Sequence, residues 1–250
     1  MNNIWSIARR DFRSYFTSPI AYILIAGFMA IMGFMFFFNL SHFIQTSTFQ
    51  SSRGPNLTDG VIRPLYGNMN VILLFLVPFI TMRLFAEERK QHTIELLMTS
   101  PLRLSEIVLG KFLSSMMLVT VMLLLTLTYP LLLVVFGNPD IGPIFTNYVG
   151  ITLMAGCYVA IGVLCSSVTE NQIVAGALSF AAGLLFWLVS WASQAAGPIW
   201  GDVLNYLSLI THNLAFSQGV INTSDVLYYF SFIGMSLFIT HRVLDSYRWR

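Results

Sequence analysis

The chain is 250 residues long, 56% apolar, 14% aromatic and only 10% charged, with a formal net charge of +2; an ordinary soluble domain carries roughly 25% charged residues. At a mean hydropathy of +0.73, a water-soluble fold would leave large apolar patches facing solvent, so that class is excluded and lipid is the natural surrounding. At about 20 residues per crossing, the length suits roughly five to seven transmembrane helices.

In chain order, Ile4, Trp5, Ala8, Phe12, Tyr15 and Phe16 recur at helical spacing while Arg9, Arg10 and Arg13 take other positions. Residues 3–17 are therefore expected to form an amphipathic interfacial helix, and Pro19 to redirect the chain. Residues 20–38 are uncharged and predict a first span of about 20–40, too long for a cleavable signal core and without a cleavage motif. Residues 39–65, rich in Ser, Thr, Asn and Gln, read as a flexible loop with Gly54, Pro55, Gly60 and Pro64 as turn formers. A second span is expected at about 66–84, kinked by Pro78. The third and fourth, about 110–136 and 144–168, are joined by the tight turn GNPDIGP. The short turn SSVTEN leads into a fifth span at about 171–193, whose many Gly and Ala residues favour close packing. Residues 194–221 are mostly apolar but broken by Gly197, Pro198, Gly201 and Asp202, which predicts short interfacial or re-entrant helices. A sixth span, the weakest, is expected at about 222–242. Cys157 and Cys165 stand eight residues apart in one apolar run, about 12 Å on a helix and too far for a disulfide.

The expected fold is a single all-α integral-membrane domain over residues 1–250, with six transmembrane helices and no internal repeat. Of its 13 lysines and arginines, 11 lie in the N-terminal segment, between spans two and three, or at the C-terminus, leaving only Arg53 and Arg63 on the opposite side. Under the positive-inside rule both termini and residues 83–111 are cytoplasmic.

Residues 83–111 (RLFAEERKQHTIELLMTSPLRLSEIVLGK) hold 5 of the 13 basic and 4 of the 11 acidic residues. Ile94, Leu97 and Met98 segregate from the polar residues at helical spacing, and Glu88 stands i,i+4 from His92. Ser100 and Pro101 break that helix, and a second can start with Ser105 as N-cap and Glu106 in its first turn. The segment predicts a helix, a hard turn and a helix projecting into the cytoplasm, where a partner can bind. The plainer reading is that these charges only end two spans and solvate their connection.

No catalytic centre is expected. The one Gly-Lys pair, Gly110-Lys111, has Ser105 where a phosphate-binding loop needs its first glycine and Phe112 where it needs a hydroxyl, so the chain is not expected to hydrolyse ATP alone. There is no His-Glu-x-x-His, Cys-x-x-Cys or Gly-x-Ser-x-Gly, and no acid pair within a span. His42, His92, His212 and His241 are scattered and are not expected to bind metal. Asn39, Asn68, Asn70, Tyr129, Asn147 and Gln172, like the clusters Phe36, Phe37, Phe38 and Trp187, Trp191, sit where interfacial polar groups and aromatic belts occur.

The string FAEERKQHTIELLMTSP at residues 85–101 closely resembles the cytoplasmic segment of ABC-2 type transporter permeases. Their pattern is roughly F-x-x-E-[KR]-x-x-G-T-[IL]-E-x-L-L-x-[ST]-P, followed by an apolar stretch and a lysine. Within that class the chain is most similar to the short permeases associated with gliding motility, and next to those of copper-cluster maturation in nitrous oxide reductase. One departure is His92, where the family usually has Gly; the helix gains from this, since glycine costs up to about 1 kcal/mol.

The resemblance implies a permease subunit whose coupling helix docks on a separate cytosolic ABC ATPase. It assigns the contact to Phe85, Glu87, Glu88, Arg89, Thr93, Ile94, Glu95, Leu96, Leu97 and Pro101, with Glu87, Glu88 and Glu95 pairing with basic groups and Ile94, Leu96, Leu97 and Met98 as anchors. Glu170, in the short inner turn, is a second candidate contact. ATP and Mg would be bound by the partner and no cofactor by this chain. A second permease copy or a related permease completes the pathway, a membrane-anchored auxiliary subunit joins it, and no nucleic acid is involved. Location in the bacterial inner membrane, export and a link to gliding motility follow from the same resemblance. The rival reading is a scaffold or mechanotransmission component that binds an ATPase and moves no solute. A lipid-modifying enzyme would need an acid, base or metal cluster, which the sequence lacks.

Overall fold

A computed structural model of the chain describes residues 2–49, 56–91, 93, 102–137, 139–195 and 197–247. Among them there are helices and no strands, and six helical stretches are long and apolar enough to cross a membrane. α1 (Asn2–Thr17) ends at a bend on Ser18, and Pro19 opens α2 (Pro19–Phe49). A π-helical turn (Thr58–Ile62) runs into α3 (Arg63–Thr81), and after the turn at residues 82–85 comes the short α4 (Ala86–Lys90). Then follow α5 (Leu104–Thr126), α6 (Thr128–Phe136), α7 (Ile141–Val168), α8 (Gln172–Ala195), α9 (Pro198–Leu207), α10 (Leu209–Ser217) and α11 (Thr223–Tyr247).

α7 is the axis of the bundle: 72% of its most apolar window is buried, against 17% for α2 and for α8. α3, α5, α8, α10 and α11 all pack on it. Small residues permit this crowding. A methyl at Gly162 would lie 2.6 Å from Cβ of Thr81, so α3 and α7 touch almost backbone to backbone where α3 ends. The outward surface is apolar, with Val135, Phe136, Phe145 and Ile173 among many exposed large side chains, as a lipid-facing surface requires.

Three local expectations need correction. Residues 39–49 are helical rather than part of a loop, because they contain neither Gly nor Pro and the polar side chains bond locally: the Thr46 hydroxyl donates to the His42 carbonyl at 2.9 Å. The long third span is two helices. Pro130 has no N–H to offer the carbonyl four residues back, at Thr126, so α5 ends there and a tight turn at Leu127 restarts the chain as α6. α5 is not capped by Ser105, which lies inside it; the Arg103 N–H instead donates to the Glu106 carboxylate at 3.1 Å. Pro78 sits in the last turn of α3, just ahead of the break at residues 82–85.

The segment between α8 and α11 folds as α9 and α10, as its composition predicts. Two tyrosines of α11 brace the joint between them: Tyr228 donates to the Leu207 carbonyl and Tyr229 to the Leu209 carbonyl, each at 2.8 Å. His212 of α10 stacks on Tyr228 with ring centroids 3.9 Å apart; its Nδ1 lies 2.6 Å from the Asp225 carboxylate and its Nε2 3.0 Å from the Tyr206 carbonyl. Both cysteines are free.

Candidate functional site

The conspicuous polar cluster of the molecule lies where α1, α4, the start of α5 and the ends of α7 and α11 meet. Its frame is the contact of α1 with α5. Ile7 and Ala8 are buried there, and Gly110 makes the approach possible, since a methyl in its place would lie 2.7 Å from Ile7 Cγ2. Tyr15 closes the other end of α1, its hydroxyl donating to the Ile80 carbonyl at 3.3 Å and lying 3.1 Å from the Ser115 hydroxyl. Burial pushes the Tyr15 phenol up to about 12, with the Ser115 hydrogen bond opposing, so it stays a neutral donor.

Lys111 is the centre of the cluster. Its ammonium is only 3% exposed, and an ion so buried must be paired and hydrogen-bonded. It donates to the Leu84 carbonyl at 2.7 Å and to Glu88 Oε1 at 2.6 Å, with Asp11 Oδ2 at 3.5 Å and the Phe85 ring centroid at 5.0 Å. The lysine of α5 thereby holds both α1 and α4.

Arg89, the next residue of α4, points elsewhere. One Nη donates to the Ser167 carbonyl and to the Tyr247 hydroxyl, each at 3.0 Å, and the other donates to Glu170 at 3.1 Å. The guanidinium carbon also stands 4.2 Å from the Tyr247 ring centroid. Ser167 is in the last turn of α7, where carbonyls lack intrahelical partners and the helix dipole favours a cation. A single arginine therefore links α4 to α7, to the turn before α8 and to the end of α11.

The expected contact residues accordingly have different surroundings. Phe85 is 1% exposed, so its ring belongs to the core and offers no surface to a partner. Glu88 is bonded to Lys111; His92, its expected i,i+4 partner, lies outside the described residues. Arg89 and Glu170, assigned as separate contacts, pair with each other, and the Glu170 side chain remains 62% exposed. Glu87 is half-buried and its carboxylate takes a hydrogen bond from Gln91 at 3.5 Å. At Thr93 the chain turns back, its N–H and hydroxyl both donating to the Glu88 carbonyl. Ile94, Glu95, Leu96, Leu97, Met98 and Pro101 lie outside the described residues. Asp11, Ser167 and Tyr247 were not identified as site residues from sequence; their side chains carry no local pattern and join the cluster only through tertiary packing. Lys111 carried a signal, as the lysine that follows the motif.

Among the described residues no group of three or more His, Cys, Asp or Glu is arranged to hold a metal ion. Among curated proteins, none matches this sequence. The family described as "ABC-2 family transporter protein" matches residues 5–241, which takes in all of the polar cluster but Tyr247 and nearly all of the six apolar stretches. The chain belongs to the ABC-2 transporter family and is a multi-pass membrane protein of that family.

Proposed function

We propose that the chain is the permease subunit of an ABC exporter in the bacterial inner membrane, driven through α4 by a separate ATPase subunit. The observation that carries this reading is the double anchorage of α4: Glu88 ties it to α5 and α1, and Arg89 ties it to α7 and α11. A push on a short helix held in this way reaches four other helices without any of them bending, because packed interiors transmit displacement. Glu87 and the motif residues after Lys90 make the contact with the ATPase, and Glu170 makes a second. Glu88, Arg89 and Phe85 form the linkage behind it.

The cluster gathers α1, α4, Lys111 and the end of α11, which belong to the segments whose sequence carries nearly all the basic residues, and this supports a cytoplasmic location for it. ATP and Mg bind to the partner, a second permease chain completes the pathway, and an auxiliary membrane-anchored subunit joins the assembly. Motility at the cell surface is the process suggested by the motif.

The test is recovery of the tagged chain from its native membrane in mild detergent. The expected result is a co-purifying nucleotide-binding subunit that is lost on Glu87→Lys. Recovery of other membrane partners with no ATPase would overturn the coupling reading and favour a scaffold.

A further inference from the structure

Between α1, the start of α2, the end of α3 and α4 lies a cleft of about 390 Å³ with two unlike walls. One wall is polar and carries Asp11, Arg83, Glu87 and Glu88, with Lys111 at its base. The other is apolar, formed by Ile20, Leu24 and the half-exposed Phe79 on the first and second spanning stretches.

The polar wall is not internally satisfied. Lys111 is committed to Leu84, Glu88 and Asp11. Among the described residues the Arg83 side chain has no hydrogen-bond or ion-pair partner, and its Nε is buried without one. Glu88 Oε2 is likewise buried without a hydrogen bond, whereas Asp11 is ion-paired to Arg10 at 2.9 Å and to Lys111 at 3.5 Å. With Asp11 paired to Arg10 and Lys111 to Glu88, the cleft charges left without an ion pair among the described residues are one cation, Arg83, and one anion, Glu87. The complement is a group that carries an anion for Arg83 and an N–H-bearing cation for the carboxylates.

We propose that this cleft binds the headgroup of an aminophospholipid, phosphate against Arg83 and ammonium against Glu87 and the free oxygen of Glu88. The apolar wall selects the lipid form, because a headgroup held there lays its glycerol and acyl chains along Ile20, Leu24 and Phe79. A choline headgroup has no N–H to give the carboxylates, and a glycerol headgroup brings no cation. The inference needs only that the chain lies in a membrane, and its test uses the permease without the ATPase, so that it and the coupling reading fail separately.

The experiment is native mass spectrometry of the detergent-purified full chain offered equal amounts of phosphatidylethanolamine, phosphatidylcholine and phosphatidylglycerol. Soluble phosphoethanolamine is added in a separate arm. Retention of phosphatidylethanolamine should exceed that of the other two roughly tenfold, the effect of one charge-assisted hydrogen bond. Retention of all three lipids should fall in Arg83→Gln, and the preference should disappear in Glu87→Gln and in Ser14→Trp, where an exposed residue at the cleft is enlarged to fill it, with melting midpoints checking that the variants fold. Equal retention of the three lipids would overturn the proposal, as would an undiminished preference in both Glu87→Gln and Ser14→Trp. Displacement of the lipid by soluble phosphoethanolamine at the same concentration would overturn the lipid assignment.

Discussion

Glu88 and Arg89 are neighbours on one five-residue helix, yet Glu88 bonds Lys111 of α5 at 2.6 Å while Arg89 bonds Ser167 of α7 at 3.0 Å. Successive helical residues point about 100° apart, which lets adjacent side chains grip different parts of a bundle.

The grip at Lys111 should dominate stability. Glu88→Ala leaves a buried ammonium with Asp11 only, and breaking such a pair costs about 3 kcal/mol. Replacing both partners by apolar residues, as in Glu88→Leu with Lys111→Met, should recover most of that loss, because the one charge left, Asp11, keeps its ion pair with Arg10 at 2.9 Å. Thermal melting of the purified single and double variants checks this, with the single variant expected to melt lowest.

Arg89 and Glu170 should behave unequally although they form a pair. Glu170 is largely exposed, so Glu170→Ala should change stability by less than about 1 kcal/mol. Arg89→Ala also removes the bonds to Ser167 and Tyr247, and hydrogen bonds to charged groups are worth about 1.5–3 kcal/mol. A lysine at position 89 has no planar fork to reach three acceptors and should restore little. Melting curves of the three variants separate these outcomes.

The seat of α1 depends on Gly110. Gly110→Leu should force α1 off α5, since even a methyl there meets Ile7 at 2.7 Å. Asn3 Nδ2 lies 3.3 Å from Glu106 Oε2, so cysteines at positions 3 and 106 report the separation. Their cross-linking yield should fall sharply in the Gly110→Leu background.

On the other face, His212→Ala leaves Asp225, 8% exposed, without its ring partner, at a cost of about 1–3 kcal/mol. The loosened elements should be α9 and α10, because His212 also holds the Tyr206 carbonyl and stacks on Tyr228. Hydrogen exchange over residues 198–217 should rise while exchange in α7 stays slow.

Much of this arrangement is legible in residue order. The six apolar stretches, the amphipathic pattern of α1, the break before Pro19 and the helices after Gly197 all come from local composition and spacing. The limits of the helices are less so: Glu106 caps α5 through its side chain three residues on, and Pro130 splits a span that is uniformly apolar. The linkage behind α4 is the least legible part. Arg89 meets Ser167, Glu170 and Tyr247 across 78, 81 and 158 residues, and no local pattern encodes those distances. Motif reading marks Phe85, Glu88 and Arg89 as important without telling an outward contact from an inward tether.

The central claim is that α4 transmits motion through Arg89. The most direct measurement is ATP hydrolysis by the partner ATPase, with and without the permease in proteoliposomes, comparing the native chain with Arg89→Gln. The account predicts that the variant still binds the ATPase while its stimulation of hydrolysis is lost. Full stimulation by a properly folded Arg89→Gln chain would contradict it.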